Sequence, residues 1–177
     1  MKAAIVYESM FGNTQSIAEA IRDGLAGSGT MEVAVMPLAE ATPGTLGDVD
    51  LLVVGAPTHI GRMTTRKTRE MGLDAAGRPP KAGTAPFEVA PSVSGPGVRE
   101  WLNGLPKGRR LTRAAAFDTR LSYPLAGGAA RSIARGLRRH GYQVDKRPQG
   151  FIVKAAQGPL RDGESERAKA WGAALVH

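Results

Sequence analysis

The sequence contains no cysteine. Disulfide bonds, thiol catalysis and thiolate metal sites are thereby excluded, and nothing opposes a reducing compartment. Histidine is scarce as well: His59, His140 and His177 are scattered, without the spacing of a zinc site. Aromatic residues make up 5% of the chain, few for a protein that stacks nucleic-acid bases. No stretch approaches the roughly 20 apolar residues of a membrane span. The first apolar run ends at Glu8, too short for the core of a secretory signal. These absences predict a soluble, cytoplasmic protein.

Acidic residues are also in short supply, 16 against 24 Lys and Arg, for a net charge of +8. The imbalance is uneven. Residues 1–50 carry Lys2 and Arg22 against seven acids, and the basic clusters lie beyond. They are Arg62, Arg66, Lys67 and Arg69, then Lys107, Arg109, Arg110 and Arg113, then Arg131, Arg135, Arg138 and Arg139. Such asymmetry suits an acidic partner, nucleic acid or an anionic surface, or else a solvated surface with no specific role. With 42% hydrophobic and 23% charged residues over 177 positions, the chain reads as one globular domain, 1–177.

Lys2 to Tyr7 is an apolar strand that runs into Glu8-Ser9-Met10-Phe11-Gly12-Asn13-Thr14. A helix over Asn13 to Ala26 follows, with Ile17, Ile21 and Leu25 at i, i+4 and i+8. A hydroxyl- and glycine-rich turn at a helix N-terminus is a place for an anion, because free N–H groups and the positive helix end point at one spot. The turn holds no lysine, so it is not the loop that grips a triphosphate with magnesium. Neutral donors suit a monophosphate, and the same residues also suit an ordinary helix cap.

Met31 to Met36 alternates as a second strand, and 39–48 is a short irregular or one-turn connection. The strand Asp50 to Gly55 is continuously apolar from Leu51 on, the mark of a central parallel strand. Ala56 to Gly61 reads as a loop and Thr64 to Leu73 as a polar helix. Proline and glycine crowd residues 74–96 and predict a long loop. A short helix spans Val98 to Leu105, and a fourth strand spans Leu111 to Phe117 and ends in Asp118-Thr119-Arg120. A helix covers Gly127 to His140, a last strand lies at Tyr142–Val144, Phe151–Val153 or both, and a final helix runs from Gly163 to Leu175. Trp101 and Trp171 sit on apolar helical stripes and read as core.

The alternation of strand and helix predicts an α/β fold, a doubly wound five-stranded parallel sheet in the order 2-1-3-4-5 with helices on both faces. Ligands of such sheets bind at the carboxyl ends of the strands, where the order reverses. Three polar segments leave those ends: Ser9–Thr14, Pro57–Gly61 and Phe117–Arg120.

With these residues assembled, the chain resembles the flavodoxin-like FMN domains of the actinobacterial type. Ser9-Met10-Phe11-Gly12-Asn13-Thr14 is similar to that family's Thr/Ser-x-Thr/Ser-Gly-x-Thr phosphate loop, with Phe11 in place of the middle hydroxyl. Gly55-Ala56-Pro57-Thr58-His59 resembles its first ring-side loop and Ala116-Phe117-Asp118-Thr119-Arg120 its second. Gly150 to Val153 with Gly158-Pro159-Leu160 also fits. The chain departs from the family in offering His59 where Trp or Tyr stacks on the ring, and in being basic where flavodoxins are acidic.

The resemblance implies FMN as cofactor. Ser9, Met10, Phe11, Gly12, Asn13 and Thr14 would hold its phosphate. Pro57, Thr58, His59, Ile60 and Gly61 would line one side of the ring, and Phe117, Asp118, Thr119 and Arg120 the other. Two readings stay open for each key side chain. His59 touches flavin or fixes its turn, Asp118 accepts from the ring N3–H or caps a helix, and Arg120 faces the N1–C2=O edge or forms a surface ion pair. The implied function is electron transfer between a reductase and an acceptor, through a redox partner protein with an acidic docking face. An alternative is an NAD(P)H-dependent flavin reductase acting on quinones or small acceptors. A binding module for nucleic acid is disfavoured by the few aromatics and the intact phosphate loop.

Overall fold

The computed structural model of the chain describes residues 1–59, 62–63, 96–108, 112–122, 128–155 and 158–176, with His59 and Arg62 described by their backbones only. The chain builds β1 (Lys2–Tyr7), α1 (Asn13–Ala26), β2 (Glu32–Pro37), α2 (Pro43–Leu46), β3 (Leu51–His59), β4 (Arg62–Met63), α3 (Val98–Gly104), β5 (Arg113–Leu121), α4 (Ala129–Arg139), β6 (Gln149–Val153) and α5 (Glu164–Ala174). β2, β1, β3, β5 and β6 lie side by side in that order, all parallel. This is the expected 2-1-3-4-5 arrangement. The two-residue β4, antiparallel to β3, is an addition that the sequence pattern did not signal.

The period of two in the strands divides the core. Ile5, Leu51, Val53, Ala115, Phe117 and Phe151 face α1 and α5, while Ala4, Val6, Leu52, Val54 and Ala116 face α3 and α4. Every one of these side chains is buried on a sheet covered on both faces, which is why β3 reads as an unbroken apolar run. α1 buries its predicted stripe of Ile17, Ile21 and Leu25 completely.

α1 and α5 touch backbone to backbone. A Cβ on Gly24 would collide with the Lys169 carbonyl, and a Cβ on Gly172 with the Ile21 carbonyl. Glycine at both crossing points lets the two helices approach closely, and this fixes where the start of α1 lies over the sheet.

Three boundaries differ from the sequence pattern. β5 continues past Phe117 to Leu121, so Asp118, Thr119 and Arg120 are strand residues and not a loop. They stay in the sheet because both neighbours pair with them: Pro57 of β3 lies opposite Thr119, and Gln149–Val153 of β6 lies opposite Phe117–Leu121. Likewise Pro57, Thr58 and His59 belong to β3. The last strand is Gln149–Val153, and Gln143 makes only an isolated bridge to Arg113. Ile60, Gly61, the helix expected at 64–73 and the loop expected at 74–96, apart from Pro96, lie outside the described residues.

Candidate functional site

Tyr7, Gly55 and Phe117 stand level in adjacent strands, so β1, β3 and β5 reach one rim together. The Glu8 N–H donates to the Gly55 carbonyl at 2.9 Å and carries the ladder one residue further. The three predicted segments leave from this rim.

The first segment turns on Gly12, whose φ of 80° is left-handed and favours glycine. Gly12 is the N-cap of α1, and it supplies no side-chain bond to the helix's first N–H groups. The first turn of α1 has no acid, and a Cβ placed on Gly12 would meet nothing within 4 Å among the described residues. A 14-residue helix therefore brings its positive end to this turn, beside Ser9, Asn13 and Thr14. Ser9, Met10 and Thr14 are buried, whereas Phe11 and Asn13 are half-buried. Glu8 is an acid beside this candidate anion site, but its Oε2 accepts the Val98 N–H of α3 at 2.9 Å, and the side chain is buried there. Neutral donors at an uncapped helix end fit a phosphate monoester.

The second and third segments converge on the start of α4. Thr58 Oγ1 accepts the Ala129 N–H at 2.9 Å, and Asp118 Oδ2 accepts the Ala130 N–H at 2.8 Å. Both side chains thus cap α4 from neighbouring strands. Asp118 is fully buried, and its other oxygen, Oδ1, has no hydrogen-bond partner among the described residues. Burial pushes its carboxyl above the ordinary 3.8, against the opposing pull of the Ala130 N–H, Arg120, Thr58 and the Ala129 N–H. Arg120 Nη1 stands 3.7 Å from Asp118 Oδ1. Its guanidinium occupies the space where a Cβ on Gly128 would sit 2.6 Å from Nη1, and it crowds Gly150 in the same way. Two glycines therefore hold one cation flat against the rim.

Thr119 is buried and meets Thr14 across the rim, Oγ1 to Oγ1, at 2.8 Å. Phe117 is different. Its ring turns into the core, covers Gly55, and packs edge-on against Phe151 and Trp171 at 6.1 and 6.4 Å. That ring cannot also line a cofactor face, so Phe117 brings only its backbone to the rim. His59 pairs with Arg62 through the backbone at the very end of β3. Ile60 and Gly61 lie outside the described residues.

One contributor was missed by sequence reasoning. The chain leaves β6, crosses back through a bridge between Val153 and Leu160, and lays Gly158 against the Asn13 side chain. The Gly158-Pro159 pair was the available signal, and nothing local tied it to Asn13. The two described cavities, about 530 and 310 Å³, lie elsewhere, around α2 and Pro106.

A sequence profile described as Flavodoxin matches residues 5–104, more than half of the chain. The chain belongs to the flavodoxin family. FMN is the family's cofactor, and the donor set at the rim fits it. Among solved structures, a flavodoxin from the domain Archaea is 23% identical, with 99% of this chain and 96% of that one covered at a TM-score of 0.64. Oxidised Flavodoxin 2 from Bacillus cereus is 19% identical, with 99% and 98% covered at a TM-score of 0.66. A flavodoxin, WrbA-like protein from Agrobacterium tumefaciens is 16% identical, with 99% and 94% covered at a TM-score of 0.54. At these identities the likeness is one of fold. The family assignment also accounts for the order of the sheet and for the position of the glycine turn after β1.

Proposed function

We propose that the protein is a cytoplasmic electron carrier that shuttles electrons between a reductase and an acceptor. Bound FMN would supply the redox chemistry, and the protein its binding, orientation and electrostatics. Ser9, Gly12, Asn13, Thr14 and the first N–H groups of α1 would hold the phosphate, with Met10 and Phe11 shaping the loop. Pro57, Thr58 and His59 would flank the ring on one side, and Asp118, Thr119 and Arg120 on the other. The carrying observation is the uncapped N-terminus of α1 at the rim shared by β1, β3 and β5.

A carrier needs no acid, base or nucleophile of its own, and Thr14, Thr58, Asp118 and Thr119 of this rim make hydrogen bonds within the fold. The redox partner would present an acidic docking face, in keeping with the chain's net charge of +8.

Purification with a bound yellow chromophore, or tight reconstitution with FMN followed by visible absorbance, tests the reading. A colourless protein that refuses FMN would overturn it. Steady-state oxidation of NAD(P)H with a quinone acceptor separates the carrier from the alternative, an NAD(P)H-dependent flavin reductase. A bare carrier turns over almost none, and brisk turnover would favour the reductase.

A further inference from the structure

Charge is divided across the sheet. Residues 1–50 hold seven acids against Lys2 and Arg22, whereas residues 128–155 hold seven Lys and Arg against the lone acid Asp145. The strand order places β2 at one edge of the sheet and β6 at the other, with α4 joining β5 to β6. Among the described residues, the β5–α4–β6 side is therefore the basic one and the β2 side the acidic one.

Within it, Arg131, Arg135 and Arg139 recur at i, i+4 and i+8 on α4, and all three are exposed. None has an acidic partner among the described residues. Neighbouring cations are already in use: Arg138 donates to the Val144 carbonyl at 2.8 Å, and Lys154 pairs with Asp162 at 2.8 Å. Like charges one turn apart repel, so the stripe is a cost to the helix that carries it. It spans roughly 12 Å at 1.5 Å per residue. Its upper end is fixed at the rim, because Thr58 and Asp118 cap the first turn of α4.

We infer that this exposed face of α4 is the docking surface for an acidic protein, the partner that exchanges electrons at the adjoining rim. The inference rests on the carrier reading and adds the place and polarity of docking. Three guanidinium groups without an acidic partner among the described residues, the first of them in the turn of α4 at the rim, steer a surface rich in Asp and Glu toward it. Guanidinium forks also pair with carboxylates bidentately, which gives the encounter an orientation as well as an attraction. Single-stranded nucleic acid is the weaker match, since the residues between the arginines on α4 include Ser, Ile, Ala, Gly and Leu, with no aromatic on which a base could stack.

The test compares the wild-type chain with R131Q/R135Q/R139Q and with K2Q/R22Q/K169Q, which removes the same charge from exposed sites elsewhere. The probe is a plant-type [2Fe–2S] ferredoxin, an acidic redox protein, with binding measured by fluorescence anisotropy across a salt series. Binding should weaken about tenfold or more in the α4 variant and lose most of its salt dependence, and the control should change far less. Equal losses in both variants, or none in the α4 variant, would overturn the inference. So would mixed-sequence duplex DNA binding more tightly than ferredoxin and losing that binding in the α4 variant. Wild-type self-association in sedimentation that the α4 variant abolishes would overturn it too. Arg135→Gln alone serves if the triple variant fails to fold. The assay runs on both apoprotein and FMN-loaded protein. Failure to take up FMN therefore sinks the carrier reading, while the anisotropy separately decides the docking surface.

Discussion

Thr14 and Thr119 share a buried hydroxyl–hydroxyl hydrogen bond of 2.8 Å across 105 residues of sequence. It fastens the first turn of α1 to the end of β5, so the candidate phosphate loop and the third strand of the rim are one mechanical unit. Thr119→Val keeps the shape and strands the Thr14 hydroxyl in the interior. It should cost about 1–3 kcal/mol of stability in urea unfolding and weaken FMN binding in a fluorescence titration. The double variant with Thr14→Val leaves neither partner stranded, so its loss should fall short of the sum of the two single losses. Simple additivity would mean that the bond does not hold the rim together.

Gly158 stands so close to Asn13 that a Cβ there would lie 2.6 Å from its Nδ2, and the backbone φ is +100°. The segment is pinned on both sides, by Lys154 N–H to the Pro159 carbonyl and Arg161 N–H to the Ile152 carbonyl, each 2.8 Å. It cannot simply swing aside. Gly158→Ala should therefore push the Asn13 amide out of place as well as strain the backbone, at about 1–3 kcal/mol. The check is FMN affinity beside thermal stability. A variant that melts earlier but binds FMN as wild type would show that Asn13 is not positioned from this side.

The contrast between these contacts and α1 shows what was legible in the sequence. α1 was readable end to end because Ile17, Ile21 and Leu25 repeat locally and Gly27 stops the helix. β3 was readable because a strand covered on both faces must be apolar. The end of β5 was not, since Asp118, Thr119 and Arg120 look like a turn to any local rule. They remain in the strand because distant groups satisfy them: Thr14, the Ala130 N–H and the ladders of β3 and β6. Thr58 caps a helix 71 residues away, which is likewise invisible before the fold is known. Gathering the three segments at one rim needed only the strand order. The bonds that Thr58 and Asp118 make there needed the structure.

The crossing of α1 and α5 depends on having no side chain at Gly24 and Gly172, where an added Cβ would run into backbone carbonyls that have no rotamer to escape by. Alanine usually favours a helix by up to about 1 kcal/mol over glycine. Here the sign should reverse. Gly24→Ala and Gly172→Ala should each destabilise by about 1–3 kcal/mol in denaturant unfolding, because the helices must separate. Stabilisation by either would mean that the helices can part without loss.

Glu164 opens α5 and is buried, with its carboxylate shared among Arg161, Arg167 and the Ile152 N–H. Burial alone would raise its pKa, but Arg167, the Ile152 N–H and Arg161 outweigh that and hold it below the ordinary 4.5. A depressed folded-state pKa gives stability that is present above 4.5 and lost as pH falls through the folded value. Glu164→Gln should flatten that acid limb and cost about 1–3 kcal/mol at neutral pH. Unfolding curves at several pH values below 5 decide it, and an unchanged acid limb would assign the acid sensitivity to other groups.

Asp118 works in the opposite sense. Its folded-state pKa is raised above 3.8, so the fold prefers the protonated acid, and stability falls as pH climbs from 3.8 through the raised value. Above that range the ionised, buried carboxylate remains as a standing cost, partly offset by Arg120 at 3.7 Å and by the first N–H groups of α4. In the proposed FMN complex the same two charges would bear on the cofactor. Reduced flavin carries added negative charge, which a fixed cation favours and a fixed anion opposes. Asp118→Asn keeps an oxygen for the Ala130 N–H and removes the anion, so it should raise the midpoint potential and remove this pH dependence of stability. Arg120→Gln should lower the potential and push the Asp118 carboxyl higher still. Redox titration of both variants provides the test, because a purely structural pair would change stability and leave the potential where it was, whereas charges acting on the flavin must move it in opposite directions.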